Sequence, residues 1–129
     1  AGGIGYAFMM FLNGMLRQGI DIVLDEIGLE EKITQADLVI TGEGRLDAQT
    51  LMGKTPAGVA SLAKKYHKRV LAIAGCFGDD VIQCKQSGLF DDCLAVKDIL
   101  SEQEQIHAME KRNATAHLQK LVKQYFVNW

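Results

Sequence analysis

Between Gly42 and Thr55 the sequence gathers unlike functional groups in one short stretch, Gly42-Glu43-Gly44-Arg45-Leu46-Asp47-Ala48-Gln49-Thr50-Leu51-Met52-Gly53-Lys54-Thr55. Two carboxylates, Glu43 and Asp47, can hold a magnesium ion or accept a proton. Two cations, Arg45 and Lys54, can neutralise a phosphate or a carboxylate. Gly42, Gly44 and Gly53 allow a backbone to approach a ligand closely or to take positive φ. The amide of Gln49 and the hydroxyls of Thr50 and Thr55 add donors for a substrate or phosphate, and main-chain N–H groups in such a loop can cradle an anion. This mixture points to phosphate chemistry. The plain alternative is a solvated surface loop with ordinary turn glycines.

Ala48 to Thr55 nearly spells the phosphate-loop pattern G-x-x-x-x-G-K-[ST]. Ala48 replaces its first glycine, and the stretch begins some six residues after the preceding apolar run rather than directly behind it. Pro56 removes a further N–H. A lysine and a helix N-terminus that meet phosphate in another geometry fit better. Gly2 and Gly3, in Gly2-Gly3-Ile4-Gly5 ahead of a helical stretch, could form an anion-binding nest or only a turn. Gly75-Cys76-Phe77-Gly78-Asp79 could line the same cleft or be a tight turn. His67, His107 and His117 have no partner at metal-ligand spacing and receive no catalytic role.

These residues must be placed by regular elements. Asp37-Leu38-Val39-Ile40-Thr41 reads as a buried strand ending in glycine, and Gly42 to Thr55 as the long loop after it. Thr55 then caps a helix with Pro56 at its first position, and Val59, Leu62, Ala63 and Tyr66 mark its inner face. Arg69 to Gly75 is a second buried strand. Asp79 or Asp80 caps a helix running to Ser87 and stopped by Gly88. Asp92 to Val96 is a third strand. A terminal helix follows, with Ala114, Leu118, Leu121, Val122 and Tyr125 on one face and Lys111, Arg112, Lys120 and Lys123 on the other. Upstream, Gly5 to Gly19 is apolar on nearly every side and reads as a buried helix, with Met9, Met10 and Met15 filling core. Asp21 to Glu26 is a short helix ended by Gly28, and Glu30 to Ile33 a further turn. Strand and helix alternate, so the expected fold is α/β: a Rossmann-like three-layer domain with a mostly parallel sheet and right-handed crossovers. Ligands of such sheets sit at the carboxyl ends of the strands, where the Gly42–Thr55 stretch falls.

The 129 residues are 48% apolar, with a net charge of −2. That composition excludes disorder and suits one domain with its own core, spanning residues 1–129. The charge argues against nucleic acid and anionic membrane as partners. The longest apolar stretch, Tyr6 to Leu16, is too short for a transmembrane helix, which needs ~20 residues. Cys76, Cys84 and Cys93 match neither a disulfide framework nor a zinc pair, so they read as reduced thiols of an intracellular protein. Residues 1–53 carry eight acids and three bases, and residues 54–129 eight acids and eleven bases. The chain opens on Ala1-Gly2-Gly3-Ile4-Gly5 with no Met, as though inside a longer sequence.

The sequence resembles the carboxyl-terminal part of bacterial type I glycerate kinases. The resemblance rests on Ala1-Gly2-Gly3-Ile4-Gly5, on Gly19-Ile20-Asp21-Ile22-Val23-Leu24, and above all on Ala36-Asp37-Leu38-Val39-Ile40-Thr41-Gly42-Glu43-Gly44-Arg45-Leu46-Asp47. It continues through Gln49-Thr50 and Gly53-Lys54-Thr55-Pro56-Ala57-Gly58-Val59-Ala60. Ala48 stands where many relatives carry glycine. The resemblance implies ATP-dependent phosphorylation of D-glycerate with magnesium in the cytoplasm. It also implies a longer chain of two α/β domains with the active site in the cleft between them. Two amino-terminal motifs of the family, D-S-F-K-G-like and G-G-E-G-T-like, have no match, so the chain is expected to carry one wall of the site. In that wall Arg45 and Lys54 would hold the glycerate carboxylate or the phosphoryl group, and Glu43 or Asp47 would position magnesium or take the hydroxyl proton. A non-catalytic α/β module binding a small anion or nucleotide is the rival from another class. A homo-oligomer is compatible with the sequence, which does not fix the oligomeric state.

Overall fold

The computed structural model describes residues 9, 10, 15, 19–101 and 111–127. Its centre is a three-stranded, wholly parallel sheet in the order β1-β2-β3, with β1 at Leu38–Leu46, β2 at Arg69–Phe77 and β3 at Asp92–Ala95. Helices α1 (Gly19–Glu26) and α2 (Leu29–Gln35) lead into β1. Gly28 joins them with φ 60°, a left-handed conformation that glycine adopts without strain. Helix α3 (Thr55–Lys65) links β1 to β2, the short α4 (Ile82–Gln86) links β2 to β3, and α5 (Lys111–Val127) ends the described chain. The α/β class and parallel sheet expected from the alternating pattern are present.

The main core forms between β1, β2 and α3. Val39 and Leu46 of β1 and Val70, Ala72 and Ala74 of β2 pack with Ala60 and Ala63 of α3, together with Ile33, Cys84 and Phe90. Small residues on the inner face of α3 let the helix lie close to the strands; Val59, Leu62 and Tyr66 pack around that contact as the periodicity indicated. Asp91 fastens the start of β2: its Oδ2 accepts from the Val70 amide and from Lys64 Nζ, both at 2.6 Å.

Two of the strands, β1 and β2, extend further than the sequence suggested. Gly42 to Leu46, expected to open a loop, continues β1 beside β2, with Gly42 opposite Ile73, Glu43 opposite Ala74 and Arg45 opposite Cys76. β2 likewise runs past Gly75 to Phe77. The glycines here serve strand contact: a Cβ on Gly42 would lie 2.4 Å from the Ile73 carbonyl oxygen, and one on Gly75 2.7 Å from that of Gly44. β3 is shorter, because Val96–Ile99 turns into a 3₁₀ helix.

Capping also differs. Lys54, not Thr55, holds the cap position of α3, and Thr55 is its first residue, with Pro56 inside the first turn. Helix α4 has Val81 at its cap position without a side-chain cap, so neither Asp79 nor Asp80 serves there; backbone bonds from Val81 N to Gly78 O and from Gln83 N to Asp80 O form the turn instead. In α5, Leu121 is buried and Val122 and Tyr125 are half-buried, whereas Ala114 and Leu118 are exposed. That helix packs on the Val96–Ile99 turn, and its Tyr125 hydroxyl donates to Asp92 Oδ2 at 2.6 Å. The expected Gly5–Gly19 helix falls mostly outside the described residues. Met9, Met10 and Met15 are described, and they are exposed rather than core. Among the described residues, no helix is long and apolar enough to cross a membrane.

Candidate active site

The carboxyl end of β1 delivers Glu43, Arg45 and Asp47 in alternation, and a single turn of 3₁₀ helix, Ala48–Leu51, folds the chain back. Asp47 is the cap of that turn. Its Oδ1 accepts from the Gln49 amide at 3.0 Å, and the Thr50 hydroxyl accepts from the Asp47 amide at 3.2 Å, a reciprocal capping box. Gly53 then takes φ 84°, a value that disfavours any side chain, and swings Lys54 back over the turn. Lys54 Nζ ends 3.6 Å from Asp47 Oδ1 and 3.9 Å from Glu43 Oε2. Arg45 Nε lies 3.6 Å from Asp47 Oδ2.

The four charged side chains read from the sequence therefore meet in one cluster, and their exposure divides them. Those of Glu43 and Asp47 are 19% and 16% exposed, while those of Arg45 and Lys54 are 58% and 41% exposed. The carboxylates form the floor and the cations the rim. A rim of exposed cations over anchored carboxylates can receive an anion and still present a proton acceptor beneath it.

The remaining predicted residues take other places. Gly42 lies in β1 against β2; Gly44 has open space where a side chain would stand. Gln49 is exposed and gives its amide N–H to Asp47. Thr55 begins α3 on the surface. Thr50 is fully buried, with its hydroxyl donated to Glu43 Oε1. It is placed to hold a carboxylate, not to touch a ligand. Gly2 and Gly3 lie outside the described residues. Within the phosphate-loop stretch, Ala48 to Leu51 is helical and Lys54 faces the two acids.

Sequence reasoning missed the support beneath this cluster. Gly78 is buried under it; a Cβ there would lie 2.7 Å from the Asp47 Cβ and 3.2 Å from both Arg45 Nε and Asp80 Oδ1. Its amide donates to the Leu46 carbonyl at 2.8 Å. The Gly75–Asp79 stretch, read as a lesser candidate, thus reaches the site through Gly78. Cys84, spaced as an ordinary thiol in the sequence, is buried with its Sγ 3.0 Å from the Asp47 carbonyl, to which it donates. Burial pushes this thiol's pKa up, and the nearby Asp47, Glu43 and Asp80 carboxylates push it the same way. It remains a neutral donor.

Comparison with known proteins adds what geometry alone leaves open. The glycerate kinase family model matches residues 1–127. The chain belongs to the glycerate kinase family. It is 54% identical to the glycerate 2-kinase of Escherichia coli K12 over 69% of this chain and 23% of that protein. It is 48% identical to the glycerate kinase of Bacillus subtilis 168 over the same shares, and 37% identical to that of Neisseria meningitidis serogroup B over 92% of this chain and 30% of that protein. The crystal structure of a protein assigned as glycerate kinase 2 from Salmonella typhimurium LT2 superposes with a TM-score of 0.54 at 45% identity, covering 74% of this chain and 23% of that one. The matched stretches thus cover only about a quarter of these glycerate kinases.

Proposed function

We propose that the complete protein containing these 129 residues phosphorylates D-glycerate with ATP, and that this chain supplies one wall of the cleft. The observation that carries the reading is the Glu43–Asp47–Lys54 cluster with Arg45 at its rim, set at the carboxyl end of a parallel strand in a chain of the glycerate kinase family. Two further facts support a wall rather than a whole site. The relatives are about three times as long, and apolar side chains at Ile22, Val23, Ile27, Ile40 and Met52 stand exposed.

In this mechanism Arg45 and Lys54 bind the anionic ends of the reactants and offset the negative charge that would keep them apart. The glycerate hydroxyl oxygen forms the new bond to the γ-phosphorus while the bond from that phosphorus to its bridging oxygen breaks, and ADP leaves. The hydroxyl proton passes to Glu43 Oε2, the oxygen that Thr50 leaves unbonded. Asp47 keeps Arg45 and Lys54 in place as their common counter-charge. Glu43 and Asp47 are also the carboxylates that would hold magnesium, which neutralises phosphate charge when bound. Among the described residues, no three acids, histidines or cysteines are arranged as a preformed metal cage. That fits magnesium entering with the nucleotide, since it commonly takes only one or two carboxylates beside phosphate oxygens and water.

The test is a coupled assay of ADP release on the complete protein. The expected result is D-glycerate-dependent turnover that Asp47→Asn and Lys54→Met each depress by at least ~100-fold, the usual scale for removing one electrostatic or acid–base contributor. Near-normal kinetics in both variants would contradict the assignment.

A further inference from the structure

Thr50 is the buried polar side chain of the described core, fully enclosed at 0% exposure. A threonine hydroxyl has one proton to donate and lone pairs to accept with. Here the proton goes to Glu43 Oε1 and a lone pair takes the Asp47 amide. One hydroxyl therefore ties the side chain of one site carboxylate to the backbone of the other. The link crosses from the 3₁₀ turn to β1, seven residues back. Threonine is β-branched, so its χ1 is stiff and the oxygen is held rather than searched for. The Cys84 thiol closes the opposite side by donating to the Asp47 carbonyl. With Oε1 anchored, Glu43 can turn only its Oε2 toward Lys54, from which it lies 3.9 Å.

We propose that Thr50 is a positioning residue, which fixes Glu43 in the one rotamer that aims Oε2 at the Arg45–Lys54 rim. This rests on the kinase reading for its catalytic consequence, but the orientation itself does not. A substrate never meets Thr50; its effect on turnover passes through Glu43.

Thr50→Val keeps the shape and removes the hydroxyl. In the complete protein it lowers kcat by ~10- to 100-fold, the range for a lost supporting hydrogen bond behind a functional group. KM for ATP and D-glycerate stays within about twofold, since neither reactant loses a contact. Thr50→Ser restores the hydroxyl and most of kcat. In a Glu43→Gln background, Thr50→Val brings no additional loss, because residues acting as a unit are not additive. Should Thr50→Val fail to fold, Thr50→Ala against Thr50→Ser reads the same hydroxyl. Side-chain three-bond couplings of Glu43 give a measurement independent of activity: one rotamer in the wild type and Thr50→Ser, averaging in Thr50→Val. Unchanged kcat in Thr50→Val, a loss shared by Thr50→Ser, a multiplicative loss in the Glu43→Gln background, or unaltered couplings would each overturn the proposal. A wild-type protein without glycerate-dependent turnover would instead overturn the kinase reading, leaving the couplings to decide the role of Thr50.

Discussion

Lys54 sits within reach of both Glu43 and Asp47, and this one residue shows how much single side chains depend on their surroundings. The types of the charged residues were legible from the sequence because acid, base and glycine crowd into one stretch. The role of Thr50 was not, because its partner is seven positions away and meets it only when β1 continues through Gly42–Leu46 and the chain turns back. The cysteines follow the same rule. Their spacing excluded metal and disulfide frameworks, and all three are free thiols. Their reactivity depends on what encloses them. Burial, and then the proximity of Cys84, pushes the Cys93 thiol up to about 11. At pH 8 only about one part in a thousand of it is thiolate, the reactive form. Cys84 is held protonated by burial and by the carboxylates around it. Iodoacetamide at pH 8 should therefore alkylate Cys84 and Cys93 at least ~10-fold more slowly than Cys76, as read by mass spectrometry of timed digests. Equal rates at Cys93 and Cys76 would contradict the burial argument.

Among the elements, the parallel order, the α3 crossover and the three strand cores were readable from apolar runs and alternation. The ends of β1 and β2 were not. A run such as Gly42-Glu43-Gly44 carries the signature of a loop, since glycine is weakly suited to strands. It is a strand here because Gly42 and Gly75 permit a backbone approach that side chains would block. Three substitutions separate these roles. Gly42→Ala and Gly75→Ala place a methyl against a neighbouring carbonyl and should each cost about 1–3 kcal/mol, the usual cost of overpacking. Gly44→Ala meets open space and should stay within about 0.5 kcal/mol of the parent. Urea midpoints at constant m-value check all three. A Gly42→Ala variant as stable as Gly44→Ala would show that the strands are not held as close as described. The helix caps differ for a related reason: Asp79 and Asp80 look like caps in sequence, but the turn after β2 is closed by its own backbone, and Asp80 Oδ1 lies beside Gly78.

At the scale of the molecule, the fold presents its charged cluster at one end of the sheet, with exposed cations at the rim and anchored acids below. The Arg45 and Lys54 side chains at that rim are 58% and 41% exposed, and the curated relatives are about three times this chain's length. The cluster is therefore proposed to work as one wall of a shared cleft. Calorimetry tests it most directly, with magnesium-ATP and D-glycerate titrated separately into the complete protein and into the 129-residue chain. The expected result is saturable binding of both to the complete protein and no measurable binding of D-glycerate to the 129 residues alone. Failure of the complete protein to bind D-glycerate, or equally tight binding of both reactants by the isolated chain, would contradict it.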